Sequence, residues 1–215
     1  MHKVQFALAL ATSASAVWLY ATALDDVFTL KSETKIAKSY GGHLQFLTIL
    51  GVVTSLLQQI ASVLALLTGL RVLRSVQNVL LIISAPLETV ISALYWPIKL
   101  YNPLLLIDRS VSVPISPSLD RRVHMYPALV QFLSATVFAQ KKWHRNVIGF
   151  PLAVILSMAG AYWYWFETTA AVNGFYPYPF LGALSTEQKG LLVGTAVLVA
   201  LTAYKVIESV QRSLR

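Results

Sequence analysis

Ser39-Tyr40-Gly41-Gly42-His43-Leu44-Gln45-Phe46-Leu47-Thr48-Ile49-Leu50-Gly51-Val52-Val53-Thr54-Ser55 is the stretch that decides how this chain is read. A Tyr40-Gly41-Gly42 lead-in, expected to be flexible, passes straight into a long apolar run, with Thr48 about one turn inside it. Counted from Thr48 at 100° per residue, Ser55, Gln59 and Ser62 fall within roughly 40° of one line. The segment therefore predicts a helix apolar enough for lipid that carries one polar stripe headed by a hydroxyl. Such a hydroxyl is where a membrane hydrolase would place a nucleophile. The alternative is a Thr48 hydroxyl bonded back to its own helix carbonyl.

Composition agrees with a bilayer setting. Hydrophobic residues make up 56% of the 215 residues and charged residues 12%, against about 25% charged in a soluble domain. The net charge of +8 is carried by short segments between apolar runs, which is a topology signal and not a nucleic-acid one. The absence of cysteine removes disulfides, thiolate chemistry and Cys-based metal sites. None of Asn78, Asn102, Asn146 or Asn173 opens a glycosylation sequon. With no internal repeat and no low-complexity segment, residues 1–215 read as one domain.

The expected fold class is all-α, a polytopic membrane protein with a six-helix transmembrane bundle. The spans are expected at about 4–24, 44–70, 78–96, 118–140, 147–168 and 190–210. The first imitates a secretory signal with Lys3 in front and Ala21-Thr22-Ala23 behind, and is read as a retained span. A mixed-charge loop, 25–43, separates it from the second, which Arg71 and Arg74 close. The loop 97–122 is broken by Pro97, Pro103, Pro114 and Pro117, with Asp108-Arg109 between them. Lys141, Lys142 and Arg145, with Trp143 at the interface, end the fourth span, and Tyr162-Trp163-Tyr164-Trp165 closes the fifth as an aromatic belt. The segment 173–180 is read as a surface or partly re-entrant loop. Six spans put both termini on one side. Lys and Arg number nine on that side and eight on the other, which leans towards a cytoplasmic N-terminus.

Several features carry potential chemistry. Spans two and four run the same way, so Thr48 and His124, each about one turn in, fall in the same leaflet. Asp120 precedes His124 by four residues, on the same helix face, and can accept from an imidazole N–H. Hydroxyl, imidazole and carboxylate are the parts of a nucleophile–base–orienter set; the bland reading of His124 is a polar anchor. Glu88, near the middle of span three, shares a face with Ser84, Ser92, Tyr95 and Lys99. An ionisable group there costs roughly 2.5–3.5 kcal/mol, so it is expected to face the bundle. The structural alternative is a protonated Glu88 bonded to Ser84 or Ser92. Gln131 continues the face of His124 at +7, and His43, Ser55, Ser92 and Gln131 are candidate lining residues. Arg121 or Arg122 could pair with a fatty-acid carboxylate; a solvated basic loop is the competing reading. His2 is terminal and His144 lies among basic residues on the opposite side.

Tyr40-Gly41-Gly42…Phe46-Leu47-Thr48, Pro86…Val90-Ile91-Ser92-Ala93-Leu94-Tyr95-Trp96, His124 opening the fourth span, and Gly174…Tyr178-Pro179-Phe180-Leu181 form one collinear pattern. In order and spacing it resembles the androgen-induced gene family of integral membrane proteins, over spans two to five and the loop that follows. That resemblance implies a six-spanning, cofactor-free threonine hydrolase of fatty acid esters of hydroxy fatty acids. It implies Thr48 as the motif threonine and His124 as the motif histidine. One departure stands out. The family's Asn-His-x-x-His before span four reads Asp120-Arg121-Arg122-Val123-His124 here, with Arg121 in place of the upstream histidine.

The expected function is an intramembrane lipid ester hydrolase with no cofactor and no metal. Its partners are the lipid ester and the bilayer, with no nucleic acid and no obligate protein partner. It is expected in the endoplasmic reticulum or plasma membrane. The rival class is a non-enzymatic multi-pass binding or scaffold protein. A bis-histidine haem protein would need a second ligand, for which His43 is the sole candidate.

Overall fold

The computed structural model describes residues 3–30, 32–107, 114–138 and 149–214. His2, Asp108-Arg109, Lys141, Lys142, Trp143, His144, Arg145 and Arg215 lie outside them. All regular structure among the described residues is helical. The elements are α1 (Lys3–Leu30), a short α2 (Lys35–Lys38), a 3₁₀ turn (Gly42–Gln45), α3 (Leu47–Thr68) and α4 (Arg71–Tyr101). A second 3₁₀ turn (Pro103–Leu105), α5 (Pro117–His124), α6 (Tyr126–Leu133) and a π-turn (Ser134–Phe138) follow. α7 (Gly149–Asn173), α8 (Pro179–Gly182) and α9 (Thr186–Ser213) complete the chain.

Among the described residues, α1, α3, α4, α7 and α9 are long and apolar enough to cross a membrane. Several boundaries differ from the sequence expectation. α1 runs on through Asp25 and Asp26 to Leu30, and α4 starts at Arg71 and continues past Pro97 to Tyr101. In both cases polar or proline residues read as loop are absorbed into the last turns, where tertiary contacts outweigh propensity. α7 extends to Asn173, so the 162–165 aromatics sit inside the helix and not at its end.

The expected fourth span is broken. α5 stops at His124, Met125 adopts φ −123° and ψ −55°, and α6 restarts at Tyr126. Pro127 explains the break, because it has no N–H for the Val123 carbonyl and its ring crowds that group. α6 then passes into the π-turn, whose Ala135 and Val137 carbonyls accept from Gln211 at 3.1 Å and Gln5 at 3.3 Å. These side-chain bonds tie the π-turn to α9 and α1.

α3 is the central element, packed against α1 on one side and α4 on the other. Ala16, Tyr20, Ala23, Ile49, Val52, Leu119 and Val123 form one core between α1, α3 and α5. Leu81, Ala85, Ala135 and Ile207 tie α4 to the π-turn and α9. On the outside Trp18, Leu67, Leu191 and Leu198 are well exposed, as helices facing lipid require.

The Gly-Gly lead-in is a clamped turn and not a flexible one. Gly41 sits at φ +83°, and a Cβ there would come within 3.0 Å of Trp165 and 3.1 Å of Thr169 on α7. Only glycine accepts both the dihedral and the approach. α7 also holds the turn by bonds: Trp165 Nε1 donates to the Leu44 carbonyl at 2.9 Å, and Asn173 bonds the Tyr40 N–H, the Tyr40 carbonyl and Gln45. The clamp fixes where α3 begins.

Candidate active site

Thr48 is the second residue of α3 and is buried, at 6% exposure. The N-cap is Phe46, which offers no capping side chain, so the first N–H groups of α3 must find partners elsewhere. Tyr162 of α7 supplies one: its hydroxyl accepts from the Leu47 N–H at 3.1 Å and donates to the Gln45 carbonyl at 3.0 Å. The Tyr178 hydroxyl sits against the Thr48 side chain and the N–H groups of Leu47 and Thr48. Burial pushes the Tyr178 phenol above its ordinary range, so it stays a neutral hydroxyl able to donate. A hydroxyl nucleophile candidate thus stands at a helix N-terminus, where partial positive charge collects, with the Tyr178 hydroxyl against it and the Tyr162 hydroxyl on the N–H of the preceding residue. Phe46 fixes the Tyr178 ring by an edge contact at 5.3 Å.

Thr48 opens onto a cavity of about 590 Å³ whose walls are almost wholly aliphatic and aromatic, among them Leu50, Leu87, Val90, Leu94, Met158 and Phe180. That volume lies within the range of small-molecule sites. Tyr95, Tyr162 and Tyr178 bring hydroxyl-bearing rings to the same wall.

His124 ends α5 and is also buried, at 8% exposure. Its Nδ1 lies 2.9 Å from Asp120 Oδ1, as the four-residue spacing suggested. Asp120 in turn accepts from the Tyr95 hydroxyl and pairs with Lys99 Nζ. The Tyr95 ring stacks on the imidazole with centroids 3.4 Å apart and planes 4° from parallel. The His124 carbonyl, left free where the helix breaks, accepts from Ser92 Oγ and from Trp96 Nε1. An ionised Asp120 held by Lys99 keeps the imidazole proton on Nδ1 and leaves Nε2 as the basic nitrogen. Tyr95 joins the two halves, lining the cavity with Thr48 and covering the ring of His124. Among the described residues, no hydrogen bond joins Thr48 to His124 directly.

The other expected residues fall in different places. Glu88 faces the bundle at 1% exposure, but its partner is neither Ser84 nor Ser92. Ser55 Oγ donates to Glu88 Oε1 at 2.8 Å, because Gly51 leaves a notch on α3 into which the carboxyl packs. Ser92 is drawn away to the His124 carbonyl. Gln131 is buried below the cavity network, accepting from Gln59 at 3.4 Å and donating to the Ser55 carbonyl at 3.5 Å. His43 packs edge-on against Phe28 at 5.3 Å and is not among the cavity walls. Arg122 pairs with Asp26 of α1, so neither a solvated loop nor a waiting carboxylate receptor describes it. Arg121 is exposed.

Sequence reasoning missed Tyr162 and Lys99 as site residues. Tyr162 belongs to an aromatic run indistinguishable in sequence from an interfacial belt, and Lys99 shared a face with Glu88 although its charge is spent on Asp120.

A family model described as FAR-17a/AIG1-like protein matches residues 8–212. The UPF0641 membrane protein PJ4664.05 of Schizosaccharomyces pombe is 34% identical over 179 residues, 83% of this chain and 79% of its own. The UPF0641 membrane protein YHR140W of Saccharomyces cerevisiae is 26% identical over 164 residues, 66% of each chain. No solved structure matches significantly. The match covers most or all of each of the five membrane-length helices among the described residues, together with Thr48 and His124, and the chain is an integral membrane protein belonging to the FAR-17a/AIG1-like family.

Proposed function

We propose that this protein is a cofactor-independent intramembrane hydrolase of lipid esters, with fatty acid esters of hydroxy fatty acids as the substrate class. The carrying observation is the position of Thr48, buried at a helix N-terminus on the wall of an apolar cavity with the Tyr178 hydroxyl against it. The acyl chains occupy the cavity, and the ester carbonyl rests against the Tyr178 hydroxyl at the positive end of α3. That hydroxyl and the helix dipole stabilise the oxyanion that forms when Thr48 Oγ1 bonds to the carbonyl carbon.

His124 Nε2 takes the threonine proton and passes it to the departing alkoxide. The C–O bond to the hydroxy fatty acid breaks, leaving an acyl-threonine. Asp120 holds the imidazole and offsets its positive charge, and Lys99 keeps Asp120 ionised. Water then attacks the acyl carbon, gives its proton through His124 to Thr48 Oγ1, and releases the fatty acid.

A covalent serine-hydrolase-type probe tests the reading directly. Wild-type protein in lipid nanodiscs should label at Thr48, located by peptide mapping, and should cleave a hydroxy-fatty-acid ester. Thr48→Ala protein that still cleaves at the wild-type rate would sink it. The absence of any label or turnover above background in the wild type favours the scaffold reading.

A further inference from the structure

Below Thr48 the polar stripe of α3 leaves the cavity and enters the packed bundle. Of Thr48, Ser55, Gln59 and Ser62, Thr48 alone lines the cavity. The rest meet polar side chains from α1, α4, α6 and the π-turn. At the lower end Ser62 Oγ lies 2.9 Å from Ser13 Oγ and accepts from Gln77 at 3.2 Å. In the middle Gln59 Nε2 donates to Ser134 at 3.0 Å. At the upper end Ser55 holds Glu88, with the Tyr20 hydroxyl within electrostatic range of the carboxyl.

This seam is not closed on itself. Among the described residues, both side-chain polar atoms of Gln58 lack a hydrogen-bond partner, as do Gln59 Oε1, Ser84 Oγ and the Tyr20 hydroxyl. Gln58, Ser84 and Tyr20 are all at 0% exposure. Exchanging the Gln58 amide atoms changes nothing, since neither has a partner. Buried polar groups are almost always bonded, because an orphan in hydrocarbon-like surroundings loses its bonds to water and gains nothing in return. A run of orphans on facing helices, with a hydroxyl, an amide and a carboxyl to bond, is the setting in which buried water binds.

We infer that this seam is an internal water site running from Gln77 to Glu88, which feeds the water that cleaves the acyl-threonine. Its lower end reaches the half-buried Gln77, and its upper end is close to the nucleophile. Glu88 Oε1 lies 3.0 Å from where a Cβ on Gly51 would stand, and Gly51 is about 4.5 Å of helix rise below Thr48. The need for such a route follows from the chemistry. An acyl chain filling the apolar cavity bars water from that side, while the second step consumes one water molecule for each acyl-threonine broken. The feeding role rests on the hydrolase reading; the presence of water does not.

Microsecond X-ray hydroxyl-radical footprinting of the full chain in nanodiscs, in H₂¹⁸O, reads the water directly. Tyr20 should be modified at least about fivefold faster, corrected for intrinsic reactivity, than the equally buried Leu81 of the apolar core. Tyr20 as protected as Leu81 overturns the inference. The double substitution Gln58→Leu, Ser84→Ala should return Tyr20 to the level of Leu81; unchanged modification means the water is held by other groups and overturns the assignment. In single-turnover assays the same variant should acylate at the wild-type rate and deacylate about tenfold more slowly, and equal deacylation overturns the feeding role. If the wild type neither acylates nor turns over, the hydrolase reading falls, and Tyr20 modification still decides whether the seam holds water. Should the double variant not fold, the wild-type comparison of Tyr20 with Leu81 stands by itself.

Discussion

Two buried polar clusters lie within a few turns of each other, and they are built on opposite terms. Around His124 the polar groups are matched: Asp120 meets the imidazole, the Tyr95 hydroxyl and Lys99, and the broken helix's carbonyl meets Ser92 and Trp96. Along α3 between Ser55 and Ser62 the groups are just as buried, yet among the described residues several atoms lack partners. A matched network holds one side chain in one orientation, which is what an oriented base requires. An unmatched one leaves directional bonding capacity that a small mobile molecule can use. The contrast separates a group that must not move from a path along which something does.

The most severe way to break the matched cluster is to remove its reactive ends. Thr48→Ala and His124→Ala should each lower ester turnover by roughly a thousandfold or more, measured by ester cleavage; Thr48→Ala should leave the thermal melt in detergent close to wild type, whereas His124→Ala, which empties the stacked site against Tyr95 and unpairs Asp120, should also lower it. Thr48→Ser keeps the hydroxyl and should retain part of the labelling and turnover.

Asp120→Asn should cost less than either. The amide oxygen can still accept the Nδ1 proton but cannot offset the imidazolium charge, so kcat is expected to fall, though by less than in either alanine variant. Tyr178→Phe probes the other side of the carbonyl. Loss of one oxyanion donor should lower kcat by about a hundredfold with little change in KM. An unchanged kcat would remove Tyr178 from that role.

Stability measurements sharpen the comparison at the seam. Gly51→Ala places a methyl 2.5 Å from Ile91 Cδ1 and 3.0 Å from Glu88 Oε1. It should destabilise by about 1–3 kcal/mol in a detergent melt as the carboxyl is pushed out of its notch. Ser55→Ala, which removes the donor to Glu88 without adding bulk, should cost less, about 1 kcal/mol. A cost near 3 kcal/mol would mean that no water replaces the lost hydroxyl, and that the seam is dry at its upper end.

The sequence made the polar stripe of α3 legible because helical periodicity is local and needs no partner. The same holds for Asp120 beneath His124, since four residues on one helix always share a face. It could not show that Glu88 chooses Ser55 over Ser84 and Ser92. That choice depends on the absence of a side chain at Gly51 on a facing helix, which no periodicity on α4 reveals. Nor could it show that Arg122 is taken by Asp26, nearly a hundred residues earlier in the chain. The split of the expected fourth span was readable in principle from Pro127, within a run whose apolar character masked it.

By itself, then, the sequence determined that the chain crosses the bilayer as helices, where hydroxyl, imidazole and carboxylate lie along them, and the family to which it belongs. Hydropathy, helical phase and motif order are properties of contiguous residues. Only the tertiary structure decided that Tyr162 and Tyr178 converge on the start of α3, that Lys99 serves Asp120, and that the stripe below Thr48 meets orphaned groups on α1 and α4. Those arrangements depend on how helices far apart in sequence rotate against each other, and that rotation is set by close packing at glycines and side chains distributed over the whole bundle.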